Sequence, residues 1–200
     1  MITTKLELQE CLKADSRNYK KRNKWWLKSM INKFVTNPIN DQELIWNYIR
    51  ELRYNEYFLN NSILSNIIFI RSFKSYIFTF RLIISNLRLK RLAYRTGFQI
   101  PPNTIDEGLT IWHWGNIIIN PHAMIGKNCT LNANIIIGHK NDGTKAPSIG
   151  DNCFVGAGAK VIGPITIGNN VVIAPNAVVV KNVPSNVVVA GIPAKIIKEI

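Results

Sequence analysis

Aliphatic residues return every six positions through the second half of this chain. Ile119, Ile125, Leu131 and Ile137 are six apart, and after an interruption the beat resumes in register at Ile149, Val155, Val161, Ile167, Ile173 and Val179. Glycine follows at Gly126, Gly138, Gly150, Gly156 and Gly168. Four positions after the aliphatic residue comes a second small or aliphatic one: Ala123, Cys129, Ile135, Cys153, Ala159, Ile165, Val171, Ala177 and Val183. Neither the 3.6 period of a helix nor the period of two of a strand produces this. A parallel β-helix does, because each hexad supplies one short strand and one turn with its aliphatic residue pointing into the stack. The pattern predicts such a solenoid from about residue 104 to 190. His139–Ser148 lacks the beat and reads as a loop thrown out of one coil, where binding faces often form. The tail from Val183-Pro184 to Lys195 departs from the hexads and is expected to cap the open end, whose strand edges would otherwise invite aggregation.

The first half follows a different rule. Residues 1–96 hold almost no glycine and one proline, Pro38, and read as a helical region. Asn40 or Asp41 is placed to cap a helix running through Glu43, Leu44, Tyr48 and Leu52. Between Ile63 and Leu87, apolar residues fall at 63, 67, 70, 73, 77, 80, 84 and 87, interrupted by Arg71, Lys74, Arg81 and Arg88. A membrane-spanning segment needs about 20 apolar residues with few charges, so the spacing predicts an amphipathic helix. Two readings of it stand: a helix packed on other helices or a neighbouring subunit, or a basic, aromatic face in peripheral contact with an anionic membrane. Gly97 begins the change of regime, and Pro101-Pro102 enforces extended backbone. The expected division is a helical domain at 1–96 and a β-helix domain at 97–200, an α+β chain.

Charge sharpens this contrast. The net charge of +13 is uneven, with 18 Lys/Arg against 7 Asp/Glu in residues 1–100 and 7 against 5 in residues 101–200. The basic half invites an anionic partner. No nucleic-acid motif accompanies it, so nucleic acid is not expected. No apolar leader begins the chain. Cys11, Cys129 and Cys153 make no disulfide framework, and two of them fill small-residue slots of the solenoid, which fits reduced, structural thiols and a cytoplasmic chain.

Candidate chemistry is sparse. Counting the beat back from Ile119 lands on His113, flanked by Trp112 and Trp114. A histidine in an inward rhythm departs from local logic, as functional residues do; alternatively it is satisfied by backbone carbonyls near the first coil. His122 reads as a turn residue, and His139 as a loop residue that either touches a ligand or is solvated. Asp106 and Glu107 are neighbours on an extended segment and face opposite ways, so they form no paired-carboxylate site. No Cys/His cluster has metal-ligand spacing, and no P-loop or Gly-x-Ser-x-Gly occurs.

Taken together, the hexads, loop and tail resemble the hexapeptide-repeat acyltransferases, and most closely the serine acetyltransferase family. Ile111-Trp-His-Trp-Gly-Asn-Ile-Ile-Ile-Asn-Pro-His-Ala-Met-Ile-Gly126 aligns without a gap to Leu-Asp-His-Ala-Thr-Gly-Ile-Val-Ile-Gly-Glu-Thr-Ala-Val-Ile-Gly of that family. Gly156-Ala-Gly-Ala-Lys-Val-Ile-Gly163 and Val189-Ala-Gly-Ile-Pro-Ala-Lys195 also match. The resemblance covers about residues 97–198. It implies a left-handed β-helix, a homotrimer, acetyl-CoA as co-substrate without a metal, and His113 as the general base. By the same analogy Gly138, Ala157 and Ala174 line the pantetheine groove between subunits, and Lys160, Lys181 and Lys195 are candidates for the CoA phosphates. Gly115 or Asn116 is a candidate oxyanion donor.

The departures from that family bear on the acceptor. Trp112 stands where the family's serine-binding pattern has an Asp, Phe98 replaces another, and Lys145-Ala146-Pro147 replaces Arg-His-Pro. An ammonium does not reproduce the bidentate grip of a guanidinium. Trp112, Trp114, His139 and Lys145 are therefore expected to bind a sugar or surface-polysaccharide hydroxyl, as in the polysaccharide O-acetyltransferase homologues of that family. The alternatives are a serine O-acetyltransferase of cysteine biosynthesis, a transferase to a sugar amine, and a silent scaffold.

Overall fold

The computed structural model describes residues 1–19, 42–62, 73–139 and 145–200, with side chains of 73–75 excluded. The expected cap at Asn40 or Asp41 and the first turns of the 63–87 pattern lie outside the described residues.

Among the described residues, three α-helices precede the solenoid: α1 (Lys5–Asp15), α2 (Gln42–Asn60) and α3 (Phe73–Thr96). A capping box starts α1, in which the Thr4 hydroxyl accepts from Glu7 N–H at 3.1 Å and the Glu7 carboxylate accepts from Thr4 N–H at 2.9 Å. Thr3 N–H also donates to the Glu7 carboxylate, at 2.7 Å, and these two backbone donors, Thr3 foremost, hold the carboxyl down at about 2. The described part of the 63–87 pattern forms α3, but its apolar line does not all face inward. Leu82 and Ser85 are buried, whereas Phe80 and Leu87 are about two-thirds exposed, at 65% and 66%.

Fourteen short strands follow among the described residues, β1 (Phe98–Gln99) to β14 (Ala194–Glu199). Three sheets make the three faces of a prism. One holds β1, β3 (Ile117–Ile119), β6 (Ile135–Gly138), β9 (Lys160–Ile162) and β12 (Val178–Val179). The second holds β4 (Met124–Ile125), β7 (Ser148–Ile149) and β10 (Thr166–Ile167). The third holds β2 (Thr110–Ile111), β5 (Thr130–Leu131), β8 (Phe154–Val155), β11 (Val172–Ile173), β13 (Val187–Gly191) and β14. All pairings are parallel except β13 with β14, the antiparallel hairpin that folds over the last coil. The fold is a left-handed parallel β-helix behind a helical N-terminal region.

Sequence chemistry explains the regularity. From β3 to β12 each strand buries its beat residue, and Leu131, Ile137, Val155, Val161 and Ile173 are inaccessible. Corners turn on left-handed asparagines, at Asn128, Asn152, Asn170 and Asn186 on one edge, with φ between 55° and 62°; asparagine tolerates that region better than other side chains. The same edge carries a side-chain ladder. Lys127 N–H donates to Asp151 Oδ1 at 2.7 Å, Asp151 N–H to Asn169 Oδ1 at 2.8 Å, and Asn169 N–H to Ser185 Oγ at 2.9 Å. Cys129 and Cys153 sit in the core as free thiols, each directed at a backbone carbonyl 3.2 Å away.

One count is corrected by the register. Ile105 pairs with Ile125 and Ile111 with Leu131, both 20 residues on, whereas Ile119 pairs with Ile137, 18 on. The first coil therefore contains two extra residues between β2 and β3. The inward slot belongs to Ile111, not His113, and counting back from Ile119 passes straight across the insertion.

The helices close the first coil with polar groups. Arg53, 1% exposed, pairs with Asp15 at 2.8 Å and Glu56 at 3.0 Å and donates to the carbonyls of Ile105 and Asp106, both at 2.7 Å. Asp15 in turn accepts from Gly108 N–H at 2.7 Å and Leu109 N–H at 2.8 Å. Apolar contact is continuous across the same junction, from Ile45, Tyr48, Ile49 and Leu52 into Phe98, Ile100 and Ile105.

Candidate active site

His113 lies on the corner between β2 and β3, Trp112–Asn116, and its side chain is exposed, as are those of Trp112 and Trp114. The two extra residues of the first coil make this corner wider than those above it. Its base is held firmly. Trp112 N–H donates to Leu131 O at 3.3 Å, and Gly115 N–H to Thr96 O at 2.9 Å at the end of α3. That bond commits Gly115 N–H and removes it from the candidate oxyanion donors. The Trp112 ring meets Phe154, two coils above, edge-on at 5.5 Å. No sequence signal marked Phe154; it became a neighbour only because β2, β5 and β8 stack in one sheet.

The corner is the first tier of an edge. Above it stand Asn132–Asn134 after β5, Gly156–Gly158 after β8 and Ala174–Asn176 after β11, each joining the third sheet to the first. His113, Ala157 and Ala174 thus share one edge of the prism. At the strand spacing of about 4.8 Å, Ala157 lies about 10 Å and Ala174 about 14 Å along it from the His113 tier. Lys160 begins the strand beside this edge and donates from Nζ to Gly158 O at 3.0 Å. Lys195 pairs with Ala190 in the terminal hairpin, on β14, two strands above the tier of Ala174, whose N–H donates to Val189 O at 2.9 Å.

The other sequence-selected residues are elsewhere. Gly138 ends β6 and His139 follows it, Lys145 lies just before β7, and Lys181 follows β12. They belong to the opposite edge, across the full width of the first sheet from His113, about 13 Å at about 3.3 Å per residue. There Asn120 Nδ2 approaches His139 Nδ1 at 2.6 Å, and Asn120 Oδ1 accepts from His122 N–H at 2.8 Å. An amide N–H donated to Nδ1 leaves the His139 proton on Nε2. Asn120 was not selected from sequence, since nothing there ties it to a residue 19 positions on. Within one chain His113 and His139 do not meet. Among the described residues, no group of three or more His, Cys, Asp or Glu is arranged to hold a metal, and no helix is long and apolar enough to cross a membrane.

Comparison with known proteins adds to this geometry. Residues 146–181 match the family model for the bacterial transferase hexapeptide, six repeats. The chain is 38% identical over 120 residues to a serine acetyltransferase of Staphylococcus xylosus, an overlap covering 58% of this chain and 56% of that protein. The chain spans about half the length of the curated relatives it matches. Among solved structures, the serine acetyltransferase of Neisseria gonorrhoeae in complex with serine superposes with a TM-score of 0.64 at 22% identity, over 97% of this chain and 70% of that one. A serine acetyltransferase in complex with CoA gives 0.66 at 18% identity, over 96% and 71%. The family match is thus confined to residues 146–181, and the relatives it stands beside are serine acetyltransferases.

These relatives overturn the expected sugar or surface-polysaccharide acceptor, because the homologues found are serine enzymes. Within one chain Trp112 and Lys145 lie on different edges of the prism, and one edge of the Trp112 ring is engaged with Phe154, so the residues at 112 and 145 do not of themselves mark a sugar-binding pocket. The comparisons lend no support to a membrane contact either.

Proposed function

We propose that this hexapeptide-repeat chain is an acetyl-CoA-dependent serine O-acetyltransferase with His113 as its general base. One observation carries the reading: an exposed histidine opens an edge that continues through Ala157 and Ala174, side chains small enough to let a pantetheine arm lie against the coil. Lys160 and Lys195 stand beside the upper part of that edge, where the phosphates of an extended CoA would fall. His113 and Lys195 are separated by five strand spacings, about 24 Å.

In this reaction the serine hydroxyl attacks the thioester carbonyl as His113 takes its proton. The C–O bond forms, the tetrahedral adduct collapses, and the C–S bond breaks. The imidazolium returns the proton to the departing thiolate, giving O-acetylserine and free CoA thiol. Asn116 N–H is the remaining corner donor proposed for the oxyanion. No acyl-enzyme is required, and Cys129 and Cys153 are buried away from the edge.

The division of residues between two edges supports assembly. Gly138, His139, Lys145 and Lys181 reach the His113 edge only from a second copy, so a homotrimer with sites between protomers brings both sets together. The aromatic corner, Trp112 and Trp114, forms one wall of the acceptor site, with His139 and Lys145 of a neighbouring copy opposite; Lys145 provides a cation for the serine carboxylate.

The test is thiol release from acetyl-CoA with L-serine, for the natural chain and His113→Gln. Serine-dependent release that falls roughly 10²–10⁴-fold in the variant, with unchanged thermal stability, supports the proposal. Undiminished release in the variant overturns the role of His113, and absence of release with serine while acetyl-CoA binds overturns the acceptor.

A further inference from the structure

The helix that delivers the chain to the coil has an outer face that neither the coil nor the proposed reaction uses. Tyr76, Phe80, Ile83, Leu87 and Tyr94 fall at steps of four, three, four and seven, one line along α3. They are between 49% and 79% exposed, and the line is about 27 Å long at 1.5 Å per residue. Among the described residues nothing covers it. The opposite side of α3 is already engaged, with Leu82 and Ser85 buried and Leu89, Leu92 and Ala93 packed on the core. A helix apolar on both its inner and outer faces is unusual for a surface element and marks an interaction site.

The charge of α3 says what kind. It carries Lys74, Arg81, Arg88, Lys90, Arg91 and Arg95 and no acidic residue. Lys90 and Arg91 flank the exposed line, whereas Arg81 and Arg88 lie roughly a third of a turn further round, towards α2, where with Arg50 they line a cavity of about 430 Å³ between the two helices. Tyr54, Phe58 and Ile84 form its apolar wall. The single carboxylate there, Glu51, accepts from Ser85 Oγ at 2.7 Å. Three guanidiniums around one engaged carboxylate leave the cavity cationic, suited to a phosphate oxygen fork. A second copy laid on the same face would bring cation against cation, which disfavours self-association there.

We propose that the outer face of α3 docks on an anionic phospholipid bilayer. The line from Tyr76 to Tyr94 enters the headgroup boundary, and the Arg50–Arg81–Arg88 cavity receives a lipid phosphate. Because no described helix spans a bilayer, the association is peripheral, of the kind an amphipathic basic helix makes. This inference is independent of the acetyl transfer reaction and of His113.

The experiment is co-sedimentation of the full chain with vesicles of phosphatidylcholine alone and of phosphatidylcholine with phosphatidylglycerol, at low and high salt. Each is repeated for Phe80→Ser with Leu87→Ser and for Arg81→Glu with Arg88→Glu, with light scattering to read oligomer mass. The expected result is binding only to the anionic vesicles, weakened by salt and at least tenfold weaker in both variant pairs at unchanged oligomer mass. Failure to bind anionic vesicles overturns the proposal, as does binding that either variant pair leaves intact. If the serine pair instead changes the oligomer mass, the face joins copies of this chain, and the proposal falls. If inorganic phosphate binds to the natural chain and is lost with the arginines while vesicles do not bind, the cavity serves a soluble phosphate and the bilayer is excluded.

Discussion

The Tyr19 hydroxyl straddles the backbone of Ile111: it accepts from Ile111 N–H at 2.8 Å and donates to Ile111 O at 3.2 Å. A side chain 92 residues away thereby completes the open edge of β2, the strand leading into the His113 corner. The ring is itself stacked on Trp46 at 5.5 Å. Tyr19→Phe keeps the ring and leaves two buried backbone groups without this partner. The expected loss is about 1–3 kcal/mol, read as a lower midpoint in urea with an unchanged slope.

The same hydroxyl predicts alkaline sensitivity. Burial pushes the phenols of Tyr19 and Tyr48 well above their ordinary range. The folded chain thus holds protons that the unfolded chain releases near pH ~10. Stability from these groups is complete below that value and is lost as pH rises through it towards the folded-state values. Thermal midpoints measured from pH 8 to 11.5 should fall above about pH 10, and less steeply in Tyr19→Phe.

Arg53 is expected to be the most sensitive charged position in the helical region. Arg53→Met would leave Asp15 and Glu56, 0% and 2% exposed, without their cation. Breaking a buried pair from one side costs about 3–5 kcal/mol, enough to unfold a marginal chain. Circular dichroism melting should show a large drop, or no cooperative transition.

Gly156 tests the packing of the proposed cofactor edge. A Cβ there would meet Ala174 C and Ile173 O, both at 2.8 Å, in the next coil. These are backbone atoms and cannot swing aside. Gly156→Ala should cost about 1–3 kcal/mol by overpacking. The neighbouring Ala157→Leu, at an exposed position, should instead spare stability and raise KM for acetyl-CoA. Equal loss of stability in both variants would contradict this assignment of the edge.

Much of the architecture could be read from the chain. The six-residue beat sufficed for the coils because the restraint is local: one aliphatic residue per short strand, one turn per hexad. The interruption at His139–Ser148 and the capping tail were visible for the same reason, as stretches where the beat fails. The beat counted back from Ile119 singled out His113 only by passing across an insertion, for the two residues inserted after Ile111 shift the count without leaving a mark in composition; its role as a base came from the resemblance.

What the sequence by itself determined, then, is the repeat, the burial of its beat residues and the contrast between a basic helical half and a nearly neutral coil. Tertiary structure alone decided that His113 shares an edge with Ala157 and Ala174, while His139 and Lys145 face another. It also decided that Tyr19 and Arg53 close the first coil, and that Phe80 and Leu87 point outward. Each of these depends on which residues stack 18, 20 or 24 positions apart, or on contacts across dozens of residues. Periodicity constrains what a residue does within its own strand; partners across coils and helices are set by register and by how the elements close on one another.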